Sequence, residues 1–217
     1  MNGQHEQKLA VAVAAAALVE DGMTVGLGTG STVELFLPPL AARGLTLRCV
    51  ATSPRTEEAA RALGLSVEPF ETVERPDIAI DGADQVAPDG WLVKGGGGAH
   101  TREKLIEAAA DRFIVIVDGS KLVEAIAPPV PFELLAFGAA SVLRVLAPSR
   151  VRGVPRSPDG GIIADYLGPV DDPAALACRF DGTPGVIEHG LFPPGMVSEI
   201  LIGHADGSVE RRRVTGG

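Results

Sequence analysis

Residues 92–104, with the sequence LVKGGGGAHTREK, combine the residue types of an oxyanion site with those of a general base. Gly95–Gly98 lie between a predicted strand and a predicted helix, where free backbone N–H groups can bind negative charge. Lys94 adds a cation before the glycines. Glu103 follows in the first helical turn, where the helix dipole favours the ionised carboxylate that a base needs. A flexible spacer is the alternative, but it requires neither the strand nor Thr101 as an N-cap.

A second glycine-rich turn, GLGTGST at residues 26–32, also joins a predicted strand to a predicted helix. Such a turn suits a phosphate group, because the helix N-terminus presents unpaired N–H donors. Its G-x-G-x-G spacing differs from the dinucleotide motif, no acidic residue ends the next strand, and Gly-Lys-Ser/Thr does not occur. The sequence therefore predicts neither an NAD site nor a Walker-type nucleotide loop. A tight turn without a ligand is the alternative.

Two carboxylates follow the next predicted buried strand. The sequence DGADQV, residues 81–86, places Asp81 at the strand end and Asp84 three residues later, with Gly82 allowing the chain to turn. Carboxylates this close can hold a metal, share a proton or bind sugar hydroxyls, and a capping or turn role is the alternative. Because no histidine or third carboxylate lies nearby at ligand spacing, we predict no metal. The four histidines also lack partner spacing: His5, His100, His189 and His204.

These residues need a scaffold that places strand ends together. Helical patterns alternate with short apolar segments: MTVGLG, LTLRCVAT, PDIAIDGAD, GWLVK and RFIVIV. Ser53, Pro54 and Gly64 supply the N-cap, first position and end of one of these helices. This order predicts a parallel sheet covered on both faces, with ligands at the carboxyl ends of its strands. The candidate groups follow predicted strands: Thr29–Thr32, Asp81–Asp84, Lys94–Gly97 and Asp118–Lys121.

The alternation stops at APPVPF, where Pro128, Pro129 and Pro131 predict a hinge. Beyond it we predict a helix over about 133–147, a hairpin turning at SPDGG, a helix from Asp172 and a strand near GVIEHGLF. This is α+β order, and it indicates a second, smaller domain. A last hairpin turns at Asp206-Gly207. The predicted domains are residues 1–127 with about 199–217, and residues 128–198.

Composition limits the classes of partner. The 217-residue chain is 46% apolar and carries a formal charge of -9, which opposes binding to nucleic acid or an anionic membrane. The basic run Arg211–Arg213 is interpreted as a solvated edge or tail. No apolar run approaches the ~18–20 residues of a membrane span, and the first ten residues lack the apolar core of a signal peptide. With Cys49 and Cys178 at no metal-like spacing, we expect a soluble protein of the reducing cytoplasm.

Taken together, the base, the oxyanion donors, the carboxylate pair and the phosphate turn fit proton abstraction beside a carbonyl of a phosphorylated sugar, without metal or cofactor. The motifs GLGTGST, DGAD, KGGGGAHTREK, VDGSK and PGVIEHGLF, in this order, closely resemble the type A ribose-5-phosphate isomerases. The resemblance extends from about Lys8 to the final hairpin. It implies interconversion of D-ribose 5-phosphate and D-ribulose 5-phosphate through an enediolate, in the pentose phosphate pathway.

The resemblance also implies a fold and residue roles. The fold is a Rossmann-like α/β domain with a mostly parallel sheet, plus a small ferredoxin-like α+β domain, in a homodimer or homotetramer. Glu103 matches the base, and Lys94 with the amides of Gly95, Gly96 and Gly97 matches the group that faces the oxyanion. Asp81 and Asp84 match the pair that binds hydroxyls and assists ring opening. The remaining matches are substrate-binding: Lys8 (a phosphate contact), Thr29, Gly30, Ser31, Thr32, Gly82, Ala83 and Lys121.

Three positions depart from the family pattern. His100 stands where a small or apolar residue is usual, Gln85 replaces an acidic residue, and residues 131–142 lack the usual VEVxPFA motif. One alternative function is a sugar-phosphate-sensing module without turnover, which is opposed by the acidic charge and by the lack of room for a DNA-binding segment. Another is an amino-sugar-phosphate deaminase or a lactonase, for which a different base arrangement is expected. The sequence favours the isomerase.

Overall fold

The structure is a computed structural model and describes residues 3–214. Its contacts divide the chain into two compact units. The first comprises the described chain up to Ala83, then Arg102–Leu122 and the described chain from Pro194. The second comprises Asp84–Thr101 and Val123–Pro193. Residues 84–101, which the sequence analysis placed in the first domain, therefore cluster with the second unit.

The described chain contains six α-helices and thirteen strands. The helices are α1 Gly3–Ala16, α2 Ser31–Ala41, α3 Pro54–Ala62, α4 His100–Ala109, α5 Ala139–Val145 and α6 Pro173–Asp181. The strands are β1 Thr24–Leu27, β2 Arg48–Ala51, β3 Ile78–Asp81, β4 Gln85–Val86, β5 Leu92–Val93, β6 Phe113–Asp118, β7 Val130–Leu134, β8 Ser149–Val151, β9 Ile162–Tyr166, β10 Val186–His189, β11 Leu191–Phe192, β12 Glu199–Gly203 and β13 Val209–Arg213.

The first unit contains a six-stranded sheet in the order β13-β12-β6-β3-β1-β2. All neighbouring pairs are parallel except the β12–β13 hairpin. Strands β1, β3 and β6 are buried along their whole length, as expected for a sheet covered on both faces. Side chains such as Phe36, Ile80 and Leu201 pack into one apolar core. The predicted mostly parallel α/β sheet is confirmed.

Local capping explains why the helices begin where the sequence predicts. The hydroxyl of Ser53 accepts a hydrogen bond from the N–H of Thr56 at 3.2 Å, and Pro54 takes the first helical position of α3. The carboxylate of Asp172 likewise accepts from Ala174 and Ala175 at the start of α6. The Ser53 N-cap is as predicted, and the helix predicted from Asp172 begins directly after that residue.

The second unit contains a four-stranded antiparallel sheet in the order β10-β7-β9-β8. Its chain order is β7-α5-β8-β9-α6-β10, which is the β-α-β-β-α-β pattern of a ferredoxin-like unit. Phe132, Tyr166 and Phe180 meet in its core, with ring centroids 5.3 and 5.9 Å from that of Phe180. The predicted ferredoxin-like α+β architecture is confirmed.

The segment that follows the predicted hinge was assigned wrongly. We expected a helix over about 133–147, but the structure has β7 up to Leu134 and a helix only from Ala139. Val130, Phe132 and Leu134 alternate at the strand period of two, and Pro131 lies inside the strand. Gly138 then adopts a left-handed φ of 79°, which prevents one continuous helix.

No helix among residues 3–214 is both long enough and apolar enough to cross a membrane. The basic run Arg211–Arg213 lies on β13, an edge strand of the six-stranded sheet, which agrees with its interpretation as a solvated edge.

The two cysteines differ in environment, so we expect them to react differently. Cys49 is buried in β2, where burial and, second, the charge of Glu68 raise the pKa of its thiol to about 12. Cys178 is exposed on α6. A disulfide reagent at pH 8 should therefore modify one thiol in the native protein and two in denaturant. Cys178→Ser should abolish the native reaction, and two reactive thiols in the folded wild type would contradict the expectation.

Candidate functional site

The phosphate turn lies in the first unit, where β1 passes into α2. Gly30 has a φ of 116°, a conformation that favours glycine, and it is the N-cap of α2. The hydroxyl of Thr29 contacts Thr52 at 2.7 Å and Ser53 at 2.9 Å. The turn is thereby tied to the start of α3. The hydroxyl of Thr29 is used in these contacts, and the turn leads into the N-terminus of the eleven-residue helix α2, where the sequence predicts an anion site.

Lys8 reaches this turn from α1. Its Nζ lies 2.9 Å from the hydroxyl of Ser31, at the first position of α2. A lysine beside a helix N-terminus supplies the local positive charge that an acidic protein needs to bind a phosphate. The structure thus brings together two of the predicted residues, Lys8 and Ser31, which are 23 positions apart in the chain.

Asp81 ends β3 and is almost completely buried, with 1% of its surface exposed. Its Oδ1 accepts hydrogen bonds from the N–H of Thr29 at 3.0 Å and of Gly82 at 2.6 Å. A Cβ at Gly28 would lie 1.9 Å from the carboxyl carbon of Asp81. Glycine at position 28 therefore makes room for this carboxylate, and the structure joins the phosphate turn to one member of the predicted aspartate pair.

Asp118 ends β6 and Lys121 follows it, at the same edge of the sheet. Lys121 is half-buried at the end of the short 3-10 turn Gly119–Lys121. Asp118 accepts hydrogen bonds from Ser120 and Gln4, and its Oδ2 is 4.0 Å from Lys8 Nζ. Burial alone raises the pKa of Asp118, but the Ser120 and Gln4 hydrogen bonds and the Lys8 charge outweigh it and hold the pKa below its ordinary value.

Replacing Asp118 by asparagine should lower stability in a pH-dependent way. Since the folded pKa lies below the unfolded value of about 3.9, the carboxylate stabilises the fold fully above about pH 4 and progressively less as pH falls through the folded pKa. Loss of a buried charged acceptor costs about 1–3 kcal/mol of unfolding free energy at pH 7. Urea unfolding at pH 7, 4 and 3 should show a difference in unfolding free energy between wild type and Asp118→Asn, and this difference should become smaller as the pH falls. A gap independent of pH would refute this role.

The glycine-rich loop belongs to the second unit. Lys94 is 2% exposed, its N–H donates to Gly190 at 2.9 Å, and its Nζ lies 5.3 Å from the centroid of Phe192. The N–H of Gly98 donates to the carbonyl of Gly95, which closes a turn, and the N–H of Gly96 donates to Asp84 at 2.7 Å. The loop is therefore an ordered turn, and the flexible-spacer alternative is wrong. Asp84 and Gly96, both predicted site residues, are in contact.

The sequence predicted that the strand before this loop belongs to the parallel sheet, and this prediction is wrong. β5 pairs antiparallel with β4 and β11 in a separate three-stranded sheet. Asp89-Gly90 turns the chain between β4 and β5, with Gly90 at a φ of 89°. An Asp-Gly dipeptide between short apolar segments is a hairpin signal, and it could have been recognised from the sequence.

Glu103 lies in the first turn of α4 and is 4% exposed. The helix begins at His100, so Thr101 lies inside it and the prediction of Thr101 as the N-cap is wrong. Instead, the hydroxyl of Thr101 donates to the fully buried carboxylate of Glu133, which also accepts from Ser157. The prediction missed this because Thr101 and Glu133 are 32 residues apart, whereas capping rules read only neighbouring residues.

Two departures from the family pattern have structural explanations. The His100 ring packs against Gly95, where a Cβ would lie 2.7 Å from its Nδ1. The side chain of Gln85 donates to the carbonyl of Ala127 at 2.7 Å and accepts from its N–H at 2.9 Å. A carboxylate could make only the second of these bonds. Gln85 therefore fastens the chain just before β7.

Two histidines have acidic partners that the sequence did not indicate. His204 lies 3.2 Å from Glu210 on the final hairpin. His189 Nδ1 accepts from the N–H of Leu191 at 3.1 Å, and its Nε2 is 3.2 Å from Asp181. One potential metal-ligand atom from each of Asp181, Glu188 and His189 lies within 4.8 Å of the other two. Because protein groups already engage both ring nitrogens of His189, this cluster is accounted for without an ion.

A mostly parallel sheet with a glycine-rich turn at its carboxyl edge, in a chain that also contains a ferredoxin-like unit, defines a two-unit protein of the α/β class. The family model for ribose 5-phosphate isomerase A (phosphoriboisomerase A) matches residues 48–207. This chain belongs to the ribose-5-phosphate isomerase A family, which confirms the resemblance.

Individual relatives agree over nearly the whole length. The ribose-5-phosphate isomerase A of Natronomonas pharaonis is 44% identical over 94% of this chain and 96% of its own. The structure of the Methanocaldococcus jannaschii enzyme has a TM-score of 0.90 at 34% identity, with 95% of this chain and 98% of that chain covered. A D-ribose-5-phosphate isomerase in complex with phospho-erythronic acid has a TM-score of 0.92 at 32% identity, with 98% and 100% covered.

Proposed function

We propose that this protein interconverts D-ribose 5-phosphate and D-ribulose 5-phosphate. The observation that carries the proposal is the 44% identity to a ribose-5-phosphate isomerase A over 94% of the chain. The structure supplies groups that suit this reaction. The turn at α2 with Lys8 suits a phosphate, Asp81 is held by two backbone N–H groups, and Glu103 is a nearly buried carboxylate at a helix start.

In this proposal Glu103 is the base. Its carboxylate removes the proton from C2 of the aldose, and the electrons move onto the C1 carbonyl oxygen to give an enediolate. Return of the proton to C1, with transfer of the O2 hydroxyl proton to O1, gives the ketose. A positioned base of this kind contributes about 10² to 10⁴ in rate.

The other residues bind and orient the substrate in this proposal. Lys94 and the amides of Gly95 and Gly97 face the oxygen on which negative charge develops, and the Gly96 amide contributes by holding Asp84. Asp81 and Asp84 bind hydroxyls and assist ring opening, together with the backbone of Gly82 and Ala83. The turn of Thr29, Gly30, Ser31 and Thr32 binds the phosphate with Lys8, and Lys121 makes a further contact.

The assembly and location of the protein are also proposals. Leu135, Phe137 and Val145 expose apolar surface around a cavity of about 510 Å³, and Phe137 is 93% exposed. Apolar surface of this kind often marks a contact between chains, which supports a homodimer or homotetramer. The unpaired Cys49 and the exposed Cys178 support a reducing cytoplasm.

The direct test is conversion of D-ribose 5-phosphate by the purified protein with EDTA present. We expect ketose to form at an undiminished rate in EDTA, since the proposed proton transfer uses no metal. If calorimetry shows that the protein binds the sugar phosphate but no conversion occurs, the isomerase hypothesis is wrong and the sugar-phosphate-sensing module is favoured. Loss of conversion in EDTA, with recovery on addition of a divalent cation, would contradict the metal-free mechanism.

A further inference from the structure

Arg152 connects the β8–β9 hairpin to the glycine-rich loop of the same unit. Its guanidinium is held by Asp165 on β9 through two bonds, Nε to Oδ2 at 3.1 Å and Nη2 to Oδ1. The two side chains are 18% and 8% exposed, so the pair is largely shielded from solvent. A two-point arginine–carboxylate contact fixes the plane of the guanidinium as well as its position.

The remaining edge of this guanidinium binds the loop backbone. Arg152 Nη1 donates to the carbonyl of Gly95 and to the carbonyl of Gly96, each at 2.9 Å. These two peptides lie within the turn closed by the Gly98 N–H and the Gly95 carbonyl. Arg152 therefore sets the direction of the two successive carbonyl groups of Gly95 and Gly96 in the glycine-rich loop.

The direction of a carbonyl determines the direction of the next N–H. In a planar trans peptide the C=O and N–H bonds point to opposite sides. With both carbonyls turned toward Arg152, the N–H groups of Gly96 and Gly97 point away from it. The contact of Gly96 N–H with Asp84 Oδ2 agrees with this direction. Since Asp84 accepts the Gly96 N–H, the Gly97 N–H is the loop donor that this arrangement turns away from Arg152 and leaves for a substrate oxygen.

We infer that Arg152 is a positioning residue for the isomerase reaction: by holding the Gly95 and Gly96 carbonyls, it keeps the Gly96 N–H on Asp84 and aims the Gly97 N–H at the developing oxyanion. The inference rests on the proposed function. Lysine cannot replace it, because one ammonium group lacks the planar fork that holds Asp165 and two carbonyls at once. The effect should fall on the chemical step, since the proposed phosphate contacts at Lys8 and Ser31 do not involve Arg152.

The test compares Arg152→Lys and Asp165→Asn with Arg150→Ala, which removes an exposed arginine of the same hairpin. Removal of one oxyanion donor costs about 10²- to 10³-fold in kcat, and a misaligned donor should cost about tenfold or more. We expect such a loss of kcat in Arg152→Lys, with KM within about threefold, and a smaller loss in Asp165→Asn. The affinity for phospho-erythronic acid, whose carboxylate resembles an enediolate, should fall with kcat, because both depend on the same donors.

Arg150→Ala should match the wild type in kcat, in KM and in its affinity for phospho-erythronic acid. The inference is overturned if Arg152→Lys, shown to be folded by its melting curve, keeps kcat within threefold of Arg150→Ala. It is also overturned if KM rises while kcat is unchanged. If Arg152→Lys does not fold, Asp165→Asn decides by the same criteria, since it retains the arginine. Failure of the proposed function is distinct, because the wild type itself would then convert no substrate.

Discussion

Glu103→Gln is expected to lower kcat by about 10² to 10⁴ while the protein stays folded. Glutamine has the size and shape of glutamate but cannot accept a proton from carbon at neutral pH. Because Glu103 is buried, loss of its charge from the first turn of α4 should cost up to about 2 kcal/mol of stability, the upper end of the helix-dipole range. The measurement is the kcat for D-ribose 5-phosphate conversion, together with the melting temperature of each protein.

Glu57→Gln is the matched control for Glu103→Gln. Glu57 also lies in the first turn of a helix, α3, and pairs with Arg61 on the protein surface. Glu57→Gln also removes a negative charge from the first turn of a helix, and it should leave kcat unchanged. If Glu103→Gln keeps activity within fivefold of this control, another group is the base, and the role assigned to Glu103 is wrong.

Gly28→Ala should be the second most damaging substitution. The added methyl would lie 1.9 Å from the carboxyl carbon of Asp81 and 2.0 Å from its Oδ1, so the carboxylate must move. That movement breaks its bonds to the N–H groups of Thr29 and Gly82. A displacement of about 1 Å at a reacting site can cost about 10² in rate, and we expect a loss of kcat/KM of that order.

Gly195→Ala is the control for this substitution. Gly195 belongs to the same unit as Gly28, but a Cβ there would meet no atom within 4 Å. We expect kcat/KM to stay near that of the wild type. Gly28→Ala activity close to that of Gly195→Ala would show that the position of the Asp81 carboxylate is not critical.

Features encoded by neighbouring residues could be predicted from the sequence. Apolar segments between helical patterns predicted the parallel sheet. The Ser53 cap and the helix start at Asp172 were correct because the capping bonds span only three residues. The placement of Thr29 and Asp81 at strand ends followed from the sheet class alone.

The errors occurred where distant residues decide the structure. A helical pattern over residues 133–147 gave way to a strand because β7 gains partners on both sides, β9 and β10. Arg152 was missed because its loop contacts are 56 and 57 residues away in sequence, and a lone arginine has no local signature. Spacing rules detect groups that are close along the chain, and they cannot identify a residue that orients such a group from another strand.

The sheet order also has a consequence for synthesis of the chain. β6 lies between β3 and β12, yet the whole ferredoxin-like segment from β7 to β10 is made between β6 and β12. During synthesis, the apolar strand FIVIVD therefore keeps one edge open until β12 has been made and has paired with it. An open strand edge is a template for pairing with another chain, so the order of synthesis exposes β6 to aggregation for as long as the ferredoxin-like segment is being made.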